Sequence, residues 1–208
     1  MSVSADTVAT DPSAELAALI GARICHDLVS PVGAIANGVE LLSLTGGAAA
    51  GPELALVAES CASAEARLRF YRVAFGTREV TDGLPPTEAA RLAESYLADT
   101  RLALDWQVEA ALTRGEVQLG FLALMCAGAA LPRGGAVRVR RVSGRWRVTA
   151  EAPRVAADMP LWARLSAPGT SGAITPGQVE FLLLGLRAAE AGRRPESRLG
   201  DRDLALTV

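Results

Sequence analysis

The sequence predicts an α+β protein of two unlike parts, a helical hairpin followed by a sandwich of helices on a mostly antiparallel sheet. Three observations predict it. Residues 12–76 carry apolar residues at threes and fours around one short break, the pattern of two long helices. Beyond residue 85 the apolar period alternates between helix-like and strand-like, with turn formers between. Between the two lies "GTREVTDGLPP", a linker by composition. The expected parts are therefore a hairpin over 12–76 and an α/β domain over 85–208.

Each element has its own signal. Asp11 as N-cap with Pro12 at the first helical position starts the first helix, which meets no strong break before about Leu44. "TGGAAAG" is a loop, and Gly51-Pro52 opens a second helix on which Leu54, Val57, Cys61, Leu68, Tyr71 and Phe75 recur. A short loop between long helices makes an antiparallel hairpin. In the second part, a helix over 87–98 precedes a strand with Leu102, Leu104, Trp106 and Val108 in alternation. A very apolar helix covers 114–130. Val137 and Val139, then Trp146 and Val148, suggest a hairpin turning at Ser143-Gly144. "TPGQ" at 175–178 is a capping box that opens a helix to about Ala191. Leu204, Leu206 and Val208 alternate in a last strand. Helices beside such a sheet make a layered α+β sandwich.

Composition bounds the function. The chain has 208 residues, half of them hydrophobic, and a net charge of −2, which gives no global bias toward nucleic acid or anionic membrane. Every basic residue is arginine, so lysine-dependent chemistry such as a Schiff base or a P-loop is excluded. Cys25, Cys61 and Cys126 lack CxxC spacing, and with one histidine they make no convincing zinc site. Their odd number argues against a disulfide framework. "MSVSADTVATD" has no signal-peptide pattern, and the longest uncharged stretch, 117–132, is short for a bilayer. The expectation is a soluble cytoplasmic protein without a bound metal.

The one histidine, His26, lies in "ICHDLVSPVG" on the first helix. At about 100° per residue, Ile20, Ile24, Leu28, Pro31, Ile35, Val39 and Leu42 fall opposite it and form the expected buried stripe. His26 therefore faces outward, among Ala22, Val29, Ser30, Gly33, Asn37 and Glu40. A lone helical histidine is by default a surface residue; its neighbours give it a sharper reading. Pro31 lacks an N–H and crowds the Asp27 carbonyl, at a cost of about 3 kcal/mol inside a helix. It gives a soft point one turn beyond the ring. Imidazole, with an unperturbed pKa of about 6.5, is an available nucleophile near neutrality. Attack on phosphorus gives a phosphoramidate able to pass the group to a carboxylate. Asp27 is the nearest group able to fix the tautomer, although adjacent residues do not face each other on a regular helix. Ser30 could position a phosphate oxygen, or be a helix-surface serine.

Residues 26–32, His-Asp-Leu-Val-Ser-Pro-Val, resemble the phosphoacceptor box of two-component histidine kinases, with Val29 in place of the common arginine. The longer stretch "ARICHDLVSPVGAIANGVELL", with the two-part layout, resembles the ChpT-type histidine phosphotransferases of alphaproteobacteria. That resemblance implies a homodimer with a kinase-like hairpin and a degenerate histidine-kinase ATPase-like domain. It implies phosphate passing from the receiver of a CckA-like hybrid histidine kinase to CtrA-like and CpdR-like response regulators. His26 would be the phosphoacceptor, with Asp27 and Ser30 beside it.

An active kinase of that fold needs an asparagine on a helix for magnesium, a D-x-G-x-G for adenine and a glycine-rich lid. Asn37 is the sole asparagine and lies in the hairpin, and no D-x-G-x-G occurs. If "FLALMCAGAALPRGGAVRV" is aligned with the kinase segment that ends in a glycine pair and a strand, Cys126 falls at the magnesium asparagine. A thiol is a poor magnesium ligand. Gly169 to Gly172 could be a remnant lid or an ordinary loop. The expectation is no ATP site, with magnesium brought by the partner receiver. Docking candidates are Val29, Gly33, Asn37 and Glu40, with Arg23 either offsetting phosphate charge or simply solvated. Between residues 133 and 154 stand seven arginines and one acid, Glu151. A solvated sheet face is the default there, and contact with an acidic regulator surface or nucleic acid are the alternatives. Two helices alone enclose little core, so paired hairpins in a four-helix bundle are expected. The alternative is a monomer whose hairpin packs on its own second domain. Against the phosphotransferase stands a second function, a non-enzymatic adaptor that only binds receiver domains.

Overall fold

The computed structural model describes residues 11–44, 50–77, 83–168 and 173–208. Helices α1 (Pro12–Leu44) and α2 (Ala50–Ala74) form the expected hairpin. Asp11 caps α1, its Oδ1 accepting from the Ser13 N–H at 3.0 Å. The helix runs on through Pro31, which is buried. The expected loop after Leu44, most of the linker, and Gly169 to Gly172 lie outside the described residues.

The second domain follows as β1 (Gly83–Leu84), α3 (Pro86–Leu97), β2 (Leu102–Gln107), β3 (Leu112–Thr113), α4 (Arg114–Ala129), β4 (Gly135–Val142) and β5 (Arg145–Glu151). Then come α5 (Met159–Ala163), a 3₁₀ turn (Pro176–Gln178), α6 (Val179–Glu190), β6 (Glu196–Leu199) and β7 (Asp203–Thr207). Five strands lie in the order β2-β4-β5-β7-β6, with β2 and β4 parallel and every other pair antiparallel. The β4–β5 turn falls at Ser143 and Gly144, both left-handed (φ 51° and 77°), which matches the strand twist. The capping box is present, but a 3₁₀ turn precedes α6. Three features lie beyond the expectation. The β1–β3 pair and α5 are too short for a period to show, and edge strand β6 has three exposed residues and no apolar alternation.

The core is centred on α4, buried at every position from Val117 through Ala127. One side lies on the sheet, where Val137, Val139, Trp146, Val148, Leu204 and Leu206 are buried. Gly120 brings the α4 backbone onto the Trp146 ring; a Cβ there would stand 2.6 Å from it. The other side meets the hairpin. Phe70 of α2 stacks between Tyr96 of α3 and Phe121 of α4, with centroids 3.9 and 4.3 Å away. Buried Gln118 donates to the carbonyls of Ala74 and Gly76, satisfying acceptors left at the end of α2.

The α1 stripe divides in two. Leu16, Ile20 and Ile24 pack against the domain core, as the self-packing alternative required. Farther along, Val39, expected to be buried, is half exposed, because α2 alone cannot cover this part of the stripe. On α2, likewise, Leu54 and Leu68 are exposed while Phe70, Tyr71, Val73 and Ala74 enter the core. Helix α1 is long and apolar enough to cross a membrane by composition. Its docking on the core and the charges at residues 23–27 make it no clear span.

Candidate functional site

Helix α1 presents His26 on its outward side, the side chain 84% exposed, as the helical wheel requires. Directly below it Asp27 is nearly covered, at 12% exposure. Its Oδ1 lies 3.0 Å from His26 Nδ1. Its Oδ2 accepts from Arg23 Nε at 2.8 Å, one turn earlier, and from the Tyr71 hydroxyl of α2. The contact that a regular helix does not favour is thus made by a rotamer held from its far side.

Burial alone would push the Asp27 carboxyl up. The hydrogen bonds from Tyr71 and His26 and the Arg23 charge outweigh it and hold the group below its ordinary range. Burial pushes the Tyr71 phenol well up, with Tyr96 and Asp27 adding to it, so that hydroxyl stays a donor. Burial also opposes the charge on Arg23, but the Glu180 and Asp27 carboxylates keep it firmly cationic. An ionised carboxylate only accepts hydrogen bonds, so Nδ1 carries the proton and donates to Asp27. The lone pair is left on Nε2, on an exposed ring.

Val29 (70% exposed), Ser30, Asn37 and Glu40 are all exposed on the His26 side of α1. Gly33 lies among them with nothing within 4 Å of its would-be Cβ, leaving room for another surface. Arg23 differs. Its guanidinium turns inward to Asp27 and toward Glu180 of α6, 3.7 Å away, and lies apart from the Val29, Gly33, Asn37 and Glu40 surface. Ser30 makes no hydrogen bond to His26 or Asp27 among the described contacts.

Two residues at the site escaped the sequence. Tyr71 reads there as one more apolar position of α2. Glu180 is 1% exposed, and its signal was visible: it is the one acid in the apolar run 179–186, just after the capping box.

Cys126, which the sequence alignment would set at the magnesium asparagine, is fully buried, and burial pushes its thiol well up. Such a group does not fit a nucleotide–magnesium site. In the basic hairpin, Arg138 pairs with Asp105, Arg141 with Glu116, and Arg145 with Glu196. Arg140 and Arg147 stand opposite each other on β4 and β5.

The family of the histidine phosphotransferase C-terminal domain matches residues 86–202, more than half of the chain. Protein phosphotransferase ChpT of Brucella abortus (strain 2308) is 38% identical over 128 residues, 61% of this chain and 60% of that protein. The matched stretch thus spans less than two thirds of that relative. A solved bacterial phosphotransferase is 30% identical and superposes with a TM-score of 0.77, over 96% of this chain and 98% of that one.

Proposed function

This chain belongs to the histidine phosphotransferase family, and from that premise we propose that it carries phosphoryl groups on His26 between receiver domains. The donor is the phosphorylated aspartate of a hybrid kinase's receiver, and the acceptors are the aspartates of response regulators. One observation carries this reading: an 84% exposed imidazole whose Nδ1 is held by a covered, ionised Asp27 at 3.0 Å.

In-line phosphoryl transfer asks for positioning and charge stabilisation. Asp27 supplies both, orienting the ring and offsetting the positive charge it gains as Nε2 bonds to phosphorus. The open surface of Val29, Ser30, Gly33, Asn37 and Glu40 gives the receiver room to dock. Magnesium and the acidic pocket come with the receiver. The buried Cys126 supports a path that does not start from ATP on this chain. Paired hairpins would form a dimeric four-helix bundle, and the protein would act in the cytoplasm.

The test mixes wild-type protein and His26→Ala with a receiver carrying labelled phosphate, beside ATP-only controls. Acid-labile label is expected on the wild type alone, and none from ATP. Binding without uptake from several phosphorylated receivers would sink the reading and leave an adaptor.

A further inference from the structure

Asp27 can reach His26 only while its carboxylate is turned toward the ring, because adjacent residues on a helix do not face each other. Two groups turn it, both on Oδ2: Arg23 Nε and the Tyr71 hydroxyl. Arg23 in turn has a long, flexible side chain, and only its Nε end is fixed by Asp27. Its other end points across the junction between hairpin and C-terminal domain. There Nη1 lies 3.7 Å from Glu180 Oε2, in the first turn of α6. A Cβ added at Gly177, in the preceding 3₁₀ turn, would stand 3.6 Å from the same nitrogen. That is ordinary contact distance, so the guanidinium lies against the turn that opens α6.

Glu180 is an unusual residue to find there. It is 1% exposed and its Oε2 accepts no hydrogen bond, yet apolar residues fill the rest of its run. A buried carboxylate without compensation is costly, and a leucine at the same place would bury freely. Its ion-pair partner among the described residues is Arg23. The chain of contacts therefore runs Glu180, Arg23, Asp27, His26, from the core of one domain to the exposed ring of the other.

We propose that Glu180 is a positioning residue for His26: by holding Arg23 it fixes the Asp27 carboxylate, and with it the tautomer of the ring, from across the domain junction. The effect on rate rests on the phosphotransfer reading; the effect on the ring does not. In that transfer the Nε2 lone pair attacks the phosphorus of the receiver's acyl phosphate. The P–N bond forms as the P–O bond to the aspartate breaks, and that electron pair returns to the receiver's carboxylate. The Nδ1 proton stays where it is, shared with Asp27. A ring protonated on Nε2 instead has no outward lone pair to offer. The C-terminal domain thus has work at the histidine: it completes the geometry of the acceptor.

A single histidine in the chain makes the test direct, because imidazole nitrogen NMR of the full-length protein then reports one ring. Glu180→Gln keeps the shape and removes the charge. Its ring spectrum is expected to move from the Nδ1-protonated form toward a mixture of tautomers. Single-turnover uptake from a phosphorylated receiver is expected to slow by about ten- to a hundredfold, with receiver affinity unchanged. Arg23→Lys should act the same way, because an ammonium cannot bridge two carboxylates as a planar fork does. The double variant should be no slower than the slower single one, since both act through one chain of contacts. A wild-type ring spectrum in Glu180→Gln overturns the proposal, whatever the rate does. If the spectra differ while even the wild type takes up no phosphate, the positioning stands and the phosphotransfer reading falls.

Discussion

At the scale of single residues, Asp27 does two things that a neutral group of the same shape cannot do together. It orients Nδ1, and in the proposed transfer its charge would offset the cation formed as Nε2 bonds to phosphorus. Asp27→Asn keeps an oxygen able to accept, but its amide nitrogen competes for the same place and would present a donor to the ring. Loss of the charge and of the unique tautomer is expected to slow transfer by about 10²- to 10³-fold. Receiver affinity should hardly change, because Asp27 is 12% exposed and lies below the docking surface. Single-turnover rates beside calorimetric binding of the receiver check this, and a wild-type rate in Asp27→Asn would remove Asp27 from the chemistry. The His26–Asp27 pair was legible in the sequence because both residues are local and the helix period fixes which way the ring faces. Tyr71 was not, since 44 residues separate it from Asp27 and only the closed α1–α2 hairpin brings them together; Glu180 showed as one acid in an apolar run, but only the packing of α6 on α1 brings it to Arg23. Arg23 was legible as a nearby cation, but not its inward turn, since Glu180, toward which it points, lies far along the sequence in α6.

At the scale of elements, two glycines of α1 make opposite demands. Glycine costs a helix interior about 1 kcal/mol relative to alanine. Gly33 faces open space, so Gly33→Ala should recover about that much stability while crowding the receiver surface. Gly38 is buried where α1 crosses α2, and a Cβ there would run into Cγ2 of Val57, with the Glu53 carbonyl 3.7 Å behind. Val57 is β-branched and stiff at χ1, so it cannot swing aside cheaply. Overpacking of this kind costs about 1–3 kcal/mol, enough to cancel or exceed the propensity gain. Gly38→Ala is therefore expected to be neutral to destabilising where Gly33→Ala stabilises, as read from urea unfolding of the two variants. A clear stabilisation by Gly38→Ala would mean that the hairpin crosses more loosely. The sequence carried the existence of both helices, through their caps and periods, and nothing in it marked Gly38 as the crossing point. For the same reason the central strands were legible from alternation, while β6, with three exposed residues on the sheet edge, was not.

At the scale of the whole molecule, α1 is divided between two partners. Its first half leans on the core through the partly buried Leu16, Ile20 and Ile24, and His26 sits just past that contact. Its second half leans on α2 alone, and of all α1 only Pro31 and Gly38 are buried. What remains open has a pattern. Leu28, Val32, Ile35, Val39 and Leu42 alternate at fours and threes, as do Leu54, Val57, Cys61, Ala64 and Leu68 on α2, the spacing of helices that pack in a bundle. Val32, Val39, Leu54 and Leu68 are each 50–56% exposed. Val29, by contrast, lies on the histidine side, so the proposed docking and pairing surfaces would occupy different faces. A second hairpin would close both seams, each large apolar side chain gaining up to about 1.5–3 kcal/mol on full burial. Summed over two copies this offsets an association cost of about 4–15 kcal/mol. The protein is therefore expected to sediment as a dimer at micromolar concentration. Val39→Glu combined with Leu68→Glu should yield monomers with unchanged helical circular dichroism, because the domain contact still anchors the hairpin. A wild-type monomer at that concentration would leave both seams open to solvent and refute the bundle.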